Sequence, residues 1–267
     1  MQPVLFLSHG SEENFLKNAP FNIFINKLSQ KLNLRKPDII LNISSLWQTD
    51  NLIIGTNLKK ETIFNPELHN LGNRKIQYPA PNAIIFSKKL EYYLSKHEIK
   101  VDVQHHPFDF GTWGLLAKLF PDADVPVIQM SMPKDYDLQS YFHLGKLLQP
   151  YSQKNILIIV SGGLIYNKEN HLKFIKESSH SSQEYLEPAV SWINECLIDN
   201  RLNDLFDYER KLPFFNELLN SKDLNHLNSL FIALGASNPS GLKRLHYSFD
   251  KMLSYECLMS KSLLNSH

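Results

Sequence analysis

Histidine is the side chain of this sequence best suited to metal ligation or proton transfer near neutral pH, and the chain has 11 of them. His9 has the most suggestive setting, in Ser8-His9-Gly10-Ser11 directly after the apolar run Val4–Leu7. An imidazole at a strand end, in a turn opened by glycine, can point into a cleft; it can equally bond nearby backbone and hold the turn. His226 precedes the apolar stretch Leu227–Leu234 and has no other distinguishing neighbour. His105 and His106 are adjacent, so on an extended segment at most one of them faces a site. His69, His97, His143, His171, His180, His246 and His267 stand in polar surroundings and read as solvated. Trp113 and Tyr166 follow glycine-containing loops, where an aromatic either lines a pocket or packs.

Several chemistries lack support. The chain has no GxGxxG, no P-loop, no HExxH and no GxSxG elbow, which leaves nucleotide binding by a known loop, zincin proteolysis and hydrolase chemistry without a signature. Cys196 and Cys257 form no CxxC pair, which argues against a disulfide framework and a thiolate zinc site.

The elements that must position these residues read as α/β. Continuous apolar runs at Val4–Leu7, Ile39–Ile43, Val125–Met130, Ile156–Val160 and Leu230–Leu234 suit strands covered on both faces. Between them, Phe21–Leu32 puts Phe21, Phe24, Ile25 and Leu28 on one helical face, and Ala83–Leu94 does the same with Ala83, Phe86, Leu90 and Leu94. Asp199 to Asn228 is polar and less regular, and reads as helices and loops before a last core strand. The pattern predicts a central, mostly parallel β-sheet flanked by helices, spanning 1–267 as a single domain. Function in such sheets collects beyond the strand ends. Four of the expected loops there begin with small residues: Ser8-His9-Gly10-Ser11, Ser44-Ser45-Leu46-Trp47, Ser161-Gly162-Gly163 and Gly235-Ala236-Ser237.

Bulk properties agree with a globular protein: 43% hydrophobic and 21% charged residues, with 28 Lys and Arg against 27 Asp and Glu. A nucleic-acid-binding protein usually shows a basic excess, and this chain has none. No apolar run has the length of a membrane span, and the N-terminus has no basic n-region, so no membrane association and a cytoplasmic location are expected. Oligomeric state is left open.

Read together, these blocks resemble the class III extradiol ring-cleavage dioxygenases of the 4,5-DOPA dioxygenase type. Val4 to Ser11 is similar to the family's opening strand and its SHG/GHG loop. Tyr78-Pro79-Ala80-Pro81 resembles YPAPG, with Asn82 for the glycine. Phe108 to Gly114, followed by Leu119 to Pro126, resembles FDHGxWG…YPDADIP. Ser161 to Asn167 resembles SGxxVHN, and His226 with Leu234-Gly235-Ala236 resembles EHYLP…LGA. The blocks occur in family order to about residue 240.

The resemblance implies a metal held by histidines of the GHG, SAHW and EHYLP segments, with the VHN histidine beside them and the FDHG histidine acting on substrate or oxygen. Carried over one at a time, His9 and His226 remain as remnant ligands. The SAHW histidine falls on Leu46, the VHN one on Tyr166 and the FDHG one on Phe110. Leucine offers no lone pair and phenylalanine no titratable proton; tyrosine, with an ordinary pKa of about 10, is a poor neutral-pH base. The expected site therefore has no intact catalytic set. Leu46, Trp47, Asp109 and Trp113 line its pocket, and it holds either no cofactor or Fe(II) or Zn(II) at a partial site. The functional expectation is a pseudoenzyme, or a module binding a protein or a small aromatic or apolar ligand. The alternative is a divergent metal-dependent oxidoreductase on a catechol-like substrate, its third ligand from Asp109, Tyr166 or the His105-His106 pair. A metal-free enzyme using Tyr166, Asp109 or His9 as acid/base is a third reading.

Overall fold

The computed structural model describes residues 1–10, 20–33, 35–63, 77–167, 182–250 and 253–261. Ser11 and the histidines at 69, 171, 180 and 267 lie outside them.

Four strands, β1 (Val4–Ser8), β2 (Ile39–Thr49), β5 (Val127–Pro133) and β6 (Ile156–Gly162), form a parallel centre in the order β5-β2-β6-β1. Their alternate residues feed two separate cores. Val4, Phe6, Leu41, Ile43, Ile158 and Val160 pack on one face, and Leu5, Leu7, Ile40, Leu157 and Ile159 on the other. That division is why the strands carry apolar residues on both faces rather than alternating. On one edge, β3 (Leu52–Thr56) and β4 (Val101–His105) run parallel to each other, with β3 antiparallel to β5. On the other, the hairpin β7 (Leu242–Asp250) and β8 (Leu253–Ser260) joins β1 antiparallel through β8. The expected mostly parallel sheet flanked by helices is thus what forms.

Helices α1 (Pro20–Asn33) and α3 (Phe110–Leu119) cover the second core, α1 burying Phe21, Ile25 and Leu28 as its periodicity predicts. The first core lies under α2 (Ile84–Lys96), α4 (Leu138–Ser152), α5 (Ser182–Ile198) and α9 (Asn225–Ala236). Three short helices, α6 (Leu202–Phe206), α7 (Tyr208–Lys211) and α8 (Phe215–Leu218), fill the irregular stretch before α9.

Two expectations are corrected. Leu230–Leu234 is not a strand but the middle of α9. This helix is wedged between α4 and the sheet, so it is apolar all round and its sequence mimics a buried strand. The fit is close: a Cβ on Gly235 would lie 2.0 Å from Phe142 O, and one on Gly145 2.1 Å from Ile232 O. Ser44 to Trp47 is likewise no loop, because β2 continues to Thr49 through a register shift against β5 between Ile43 and Gln48. Such an irregularity re-aims side chains without ending the strand.

Among the described residues, no helix is long and apolar enough to cross a membrane.

Candidate functional site

Beyond the C-terminal end of β1 the chain turns at Gly10, whose φ of 65° is left-handed. His9 N–H donates to Gly162 O at 3.2 Å, tying the turn to β6. The His9 ring reports its own tautomer. Nδ1 lies 2.8 Å from Gly10 O; a carbonyl only accepts, so Nδ1 carries the proton and Nε2 presents a lone pair.

That lone pair faces His226, in the first turn of α9. His226 O accepts from Gly163 N–H at 3.2 Å and Ser229 Oγ at 2.8 Å, which anchors the helix start against the loop after β6. The two rings meet with His9 Nε2 3.1 Å from His226 Nδ1. Ser45 Oγ, from the irregular stretch of β2, closes a triangle at 3.0 Å from His226 Nδ1 and 3.4 Å from His9 Nε2. Asn225 Nδ2 holds the Ser45 carbonyl at 2.6 Å. Burial lowers the His9 pKa to about 4, the bond to Gly10 offsetting it in part. Burial and then the neighbouring His9 push His226 well below the ordinary imidazole range. Both rings are neutral at pH 7.

Aromatic groups enclose the pair. The half-buried Tyr166 ring, from the loop after β6, lies 4.0 Å from that of His226 with planes 32° apart. Phe110, at the start of α3, meets His9 edge-on at 6.3 Å and packs edge-on against Trp113 at 5.2 Å. Burial raises the Tyr166 hydroxyl to about 12, with Asp223 and Tyr255 adding to it. It therefore stays protonated at neutral pH, with even less phenolate to act as a base than a free tyrosine.

The other candidates are placed as follows. Leu46 is 41% exposed, hydrocarbon open to solvent one residue from Ser45. Trp47 is buried and stacked on His106 at 3.8 Å with planes 1° apart. His105 bonds Thr56 O and Glu61. Trp113 Nε1 donates to Ile63 O. Asp109 is buried under α3: Oδ1 accepts from Thr112 N–H at 2.9 Å as an N-cap and Oδ2 from Gln129 Nε2 at 3.0 Å. Burial lifts its pKa to about 6, against the hydrogen bonds from Ser44, Thr112 and Gln129. His246, expected to be solvated, is half-buried and stacked on Phe24 at 4.6 Å.

Ser45 is the residue that sequence reasoning missed. It stands in the quoted Ser44-Ser45-Leu46-Trp47 block, but only the turn of β2 there shows that its hydroxyl meets both imidazoles. Glu256 is a second: fully buried in β8, its Oε2 accepts from Ser8 Oγ at 2.6 Å.

A family model described as the catalytic LigB subunit of aromatic ring-opening dioxygenase matches residues 2–257. The chain belongs to this family. It is 29% identical over 201 residues to the 4,5-DOPA dioxygenase extradiol of Escherichia coli (strain K12), covering 71% of each chain. It is 25% identical over 242 residues to the enzyme of that name from Mirabilis jalapa, covering 89% of this chain and 87% of that one. A crystal structure of an uncharacterized protein from Escherichia coli K12 superposes with a TM-score of 0.70 at 22% identity, covering 97% and 99% of the two chains, a likeness of fold.

Membership raises the question of whether these residues fit the family's metal. The 3.0–3.4 Å triangle has the spacing of neighbouring ligand atoms around one cation. Its chemistry falls short: two neutral imidazoles and one alcohol, where a non-haem iron site uses three strong donors. Among the described residues, no group of three or more His, Cys, Asp or Glu could share a metal ion. Asp109 is committed to Thr112 and Gln129. The described donor set does not fit a catalytic iron.

Proposed function

We propose that this member of the ring-opening dioxygenase family does not open rings, and that its inherited site binds a small aromatic molecule. The observation carrying this reading is the packing of Tyr166 on His226 with Phe110 edge-on to His9. Those rings put hydrocarbon where the family resemblance calls for imidazole. They give an apolar wall beside a neutral polar pair, the composition of a site for a planar ring carrying a hydroxyl, with the half-open Leu46 one residue from Ser45. The ring would lie on Phe110, Tyr166 and Leu46, and its hydroxyl would reach the histidine pair.

The test is titration of the chain with catechol and with phenol by isothermal calorimetry, beside an oxygen electrode run with catechol and added Fe(II). The expected result is binding weakened about tenfold or more in Leu46→Asp, consistent with the cost of a charge against an apolar ligand, and no oxygen uptake. Iron-dependent oxygen uptake with a ring-opened product would overturn the reading.

The triangle's spacing favours a second reading, a divergent metal-dependent oxidoreductase holding Fe(II) or Zn(II) at a partial site. One equivalent of metal in protein prepared under reducing conditions, with both ions supplied, would favour it over the first.

A further inference from the structure

We infer that Ser45 is a positioning residue that fixes His9 and His226 as a hydrogen-bonded pair with the proton on His226 Nδ1, so that the two facing nitrogens cannot share a metal. The inference rests on the reading above of the site as no metal centre, and deepens it by naming the residue responsible.

Gly10 O takes the Nδ1 proton of His9 and leaves Nε2 as an acceptor only. His226 Nδ1 stands 3.1 Å from that lone pair. Two lone pairs at this distance repel, so the contact is a hydrogen bond only if His226 Nδ1 carries a proton. Ser45 Oγ completes the set. With that proton on His226, Ser45 Oγ, 3.0 Å from His226 Nδ1, accepts from it and directs its own proton to His9 Nε2 at 3.4 Å. Every donor in the triangle then meets an acceptor. Ser45 is fully buried, and Asn225 holds its backbone carbonyl at 2.6 Å, which fixes the strand that carries the hydroxyl. For His226 to ligate through Nδ1, the proton must move to Nε2 and both of its contacts in the triangle must break. The alcohol is thus a competitor for a metal, and a histidine restored at Leu46 would not be sufficient alone.

The experiment uses the full chain with 15N-labelled histidine and four proteins: wild type, Ser45→Ala, Leu46→His and the double variant. Position 46 is 41% exposed and tolerates the larger ring; circular dichroism checks the fold of each. Long-range proton–nitrogen spectra at neutral pH, assigned with His9→Gln and His226→Gln, are expected to show Nδ1–H for both rings in the wild type. A wild-type His226 protonated on Nε2 instead overturns the inference without any variant having to fold. Zn(II) affinity, measured by chelator competition, is expected to be about tenfold or more higher in the double variant than in Leu46→His, the scale on which groups around a ligand tune affinity. Equal affinities, or wild-type Zn(II) binding that Ser45→Ala abolishes, would show Ser45 to be inert or a donor. Loss of catechol binding with these signatures intact would defeat the aromatic-site reading and leave Ser45's role standing.

Discussion

The phenol ring of Tyr166 lies over the imidazole of His226, centroids 4.0 Å apart and planes inclined by 32°. The contact joins the loop after β6 to the first turn of α9. Ring pairs contribute about 0.5–1.5 kcal/mol beyond the area they bury. Tyr166→Ala is therefore expected to cost about 2 kcal/mol, since the ring is half-buried and a full core truncation costs more. Tyr166→Phe keeps the ring and is expected to cost under about 1 kcal/mol. Urea unfolding of the three proteins checks the ordering, and equal losses would mean that the hydroxyl rather than the ring holds the loop.

Gly10 gives a stronger effect from a smaller change. Its φ is 65°, and a Cβ there would lie 2.2 Å from Tyr255 Cε1. Gly10→Ala meets both left-handed backbone strain and a clash with a buried ring. The expected loss is at least about 2 kcal/mol. Because Gly10 O fixes the His9 proton, the His9 tautomer signals should broaden or double in the same variant. A stability near wild type would mean that the turn rearranges at little cost.

Much of the architecture is legible because both faces of the sheet are buried. Val4–Leu7 and Ile156–Val160 are apolar at every position for that reason, and Ile39–Ile43 at all but Asn42, and periodicity finds them. The same rule misreads Leu230–Leu234, since a helix enclosed by α4 and the sheet presents the same unbroken run. The hairpin β7–β8 is missed because Leu242 to Ser260 mixes charged and apolar residues without a clean alternation. For the site, His9 and His226 are visible only through a motif pattern, being 217 residues apart in sequence and 3.1 Å apart in space. Ser45 carries no signal, because serine before an apolar pair is common and only the register shift in β2 brings its hydroxyl to them.

Buried acids and buried histidines pull the pH dependence in opposite directions. Glu256 is lifted from an ordinary 4.5 to about 7, chiefly by burial against the hydrogen bonds from Ser254 and Ser8. The folded state then holds a proton that the unfolded chain gives up, so this contribution is full below about pH 4.5 and lost as pH rises through 7. His9 is depressed to about 4, so its contribution is present above its ordinary 6.5 and lost as pH falls through 4. Glu256→Gln removes the first and leaves the second. Relative to wild type, the variant is expected to gain stability as pH goes from 5 to 8 in denaturant unfolding. A difference that is flat in pH would mean that Glu256 is ionised at both ends of the range.

Asp109 tests whether a buried carboxylate beside Phe110 serves the fold or a ligand. It caps α3 through Thr112 N–H and satisfies Gln129 Nε2. Asp109→Ala removes a cap worth about 1 kcal/mol and leaves a buried amide donor unpaired at about 1–3 kcal/mol. A total loss of about 2–4 kcal/mol is expected, with displacement of Phe110 from the helix start. Asp109→Asn keeps an oxygen for Thr112 and should lose less. Burial raises Asp109 from an ordinary 3.8 to about 6, so its own contribution is lost as pH rises through 6. The asparagine variant should therefore compare better with wild type at pH 8 than at pH 5. Urea midpoints at both pH values, with and without Zn(II), read this directly. A Zn(II)-dependent rise in the wild-type midpoint that disappears in Asp109→Asn would return Asp109 to the ligand set; its absence leaves Asp109 as the residue that seats α3, and with it Phe110, against the histidine pair.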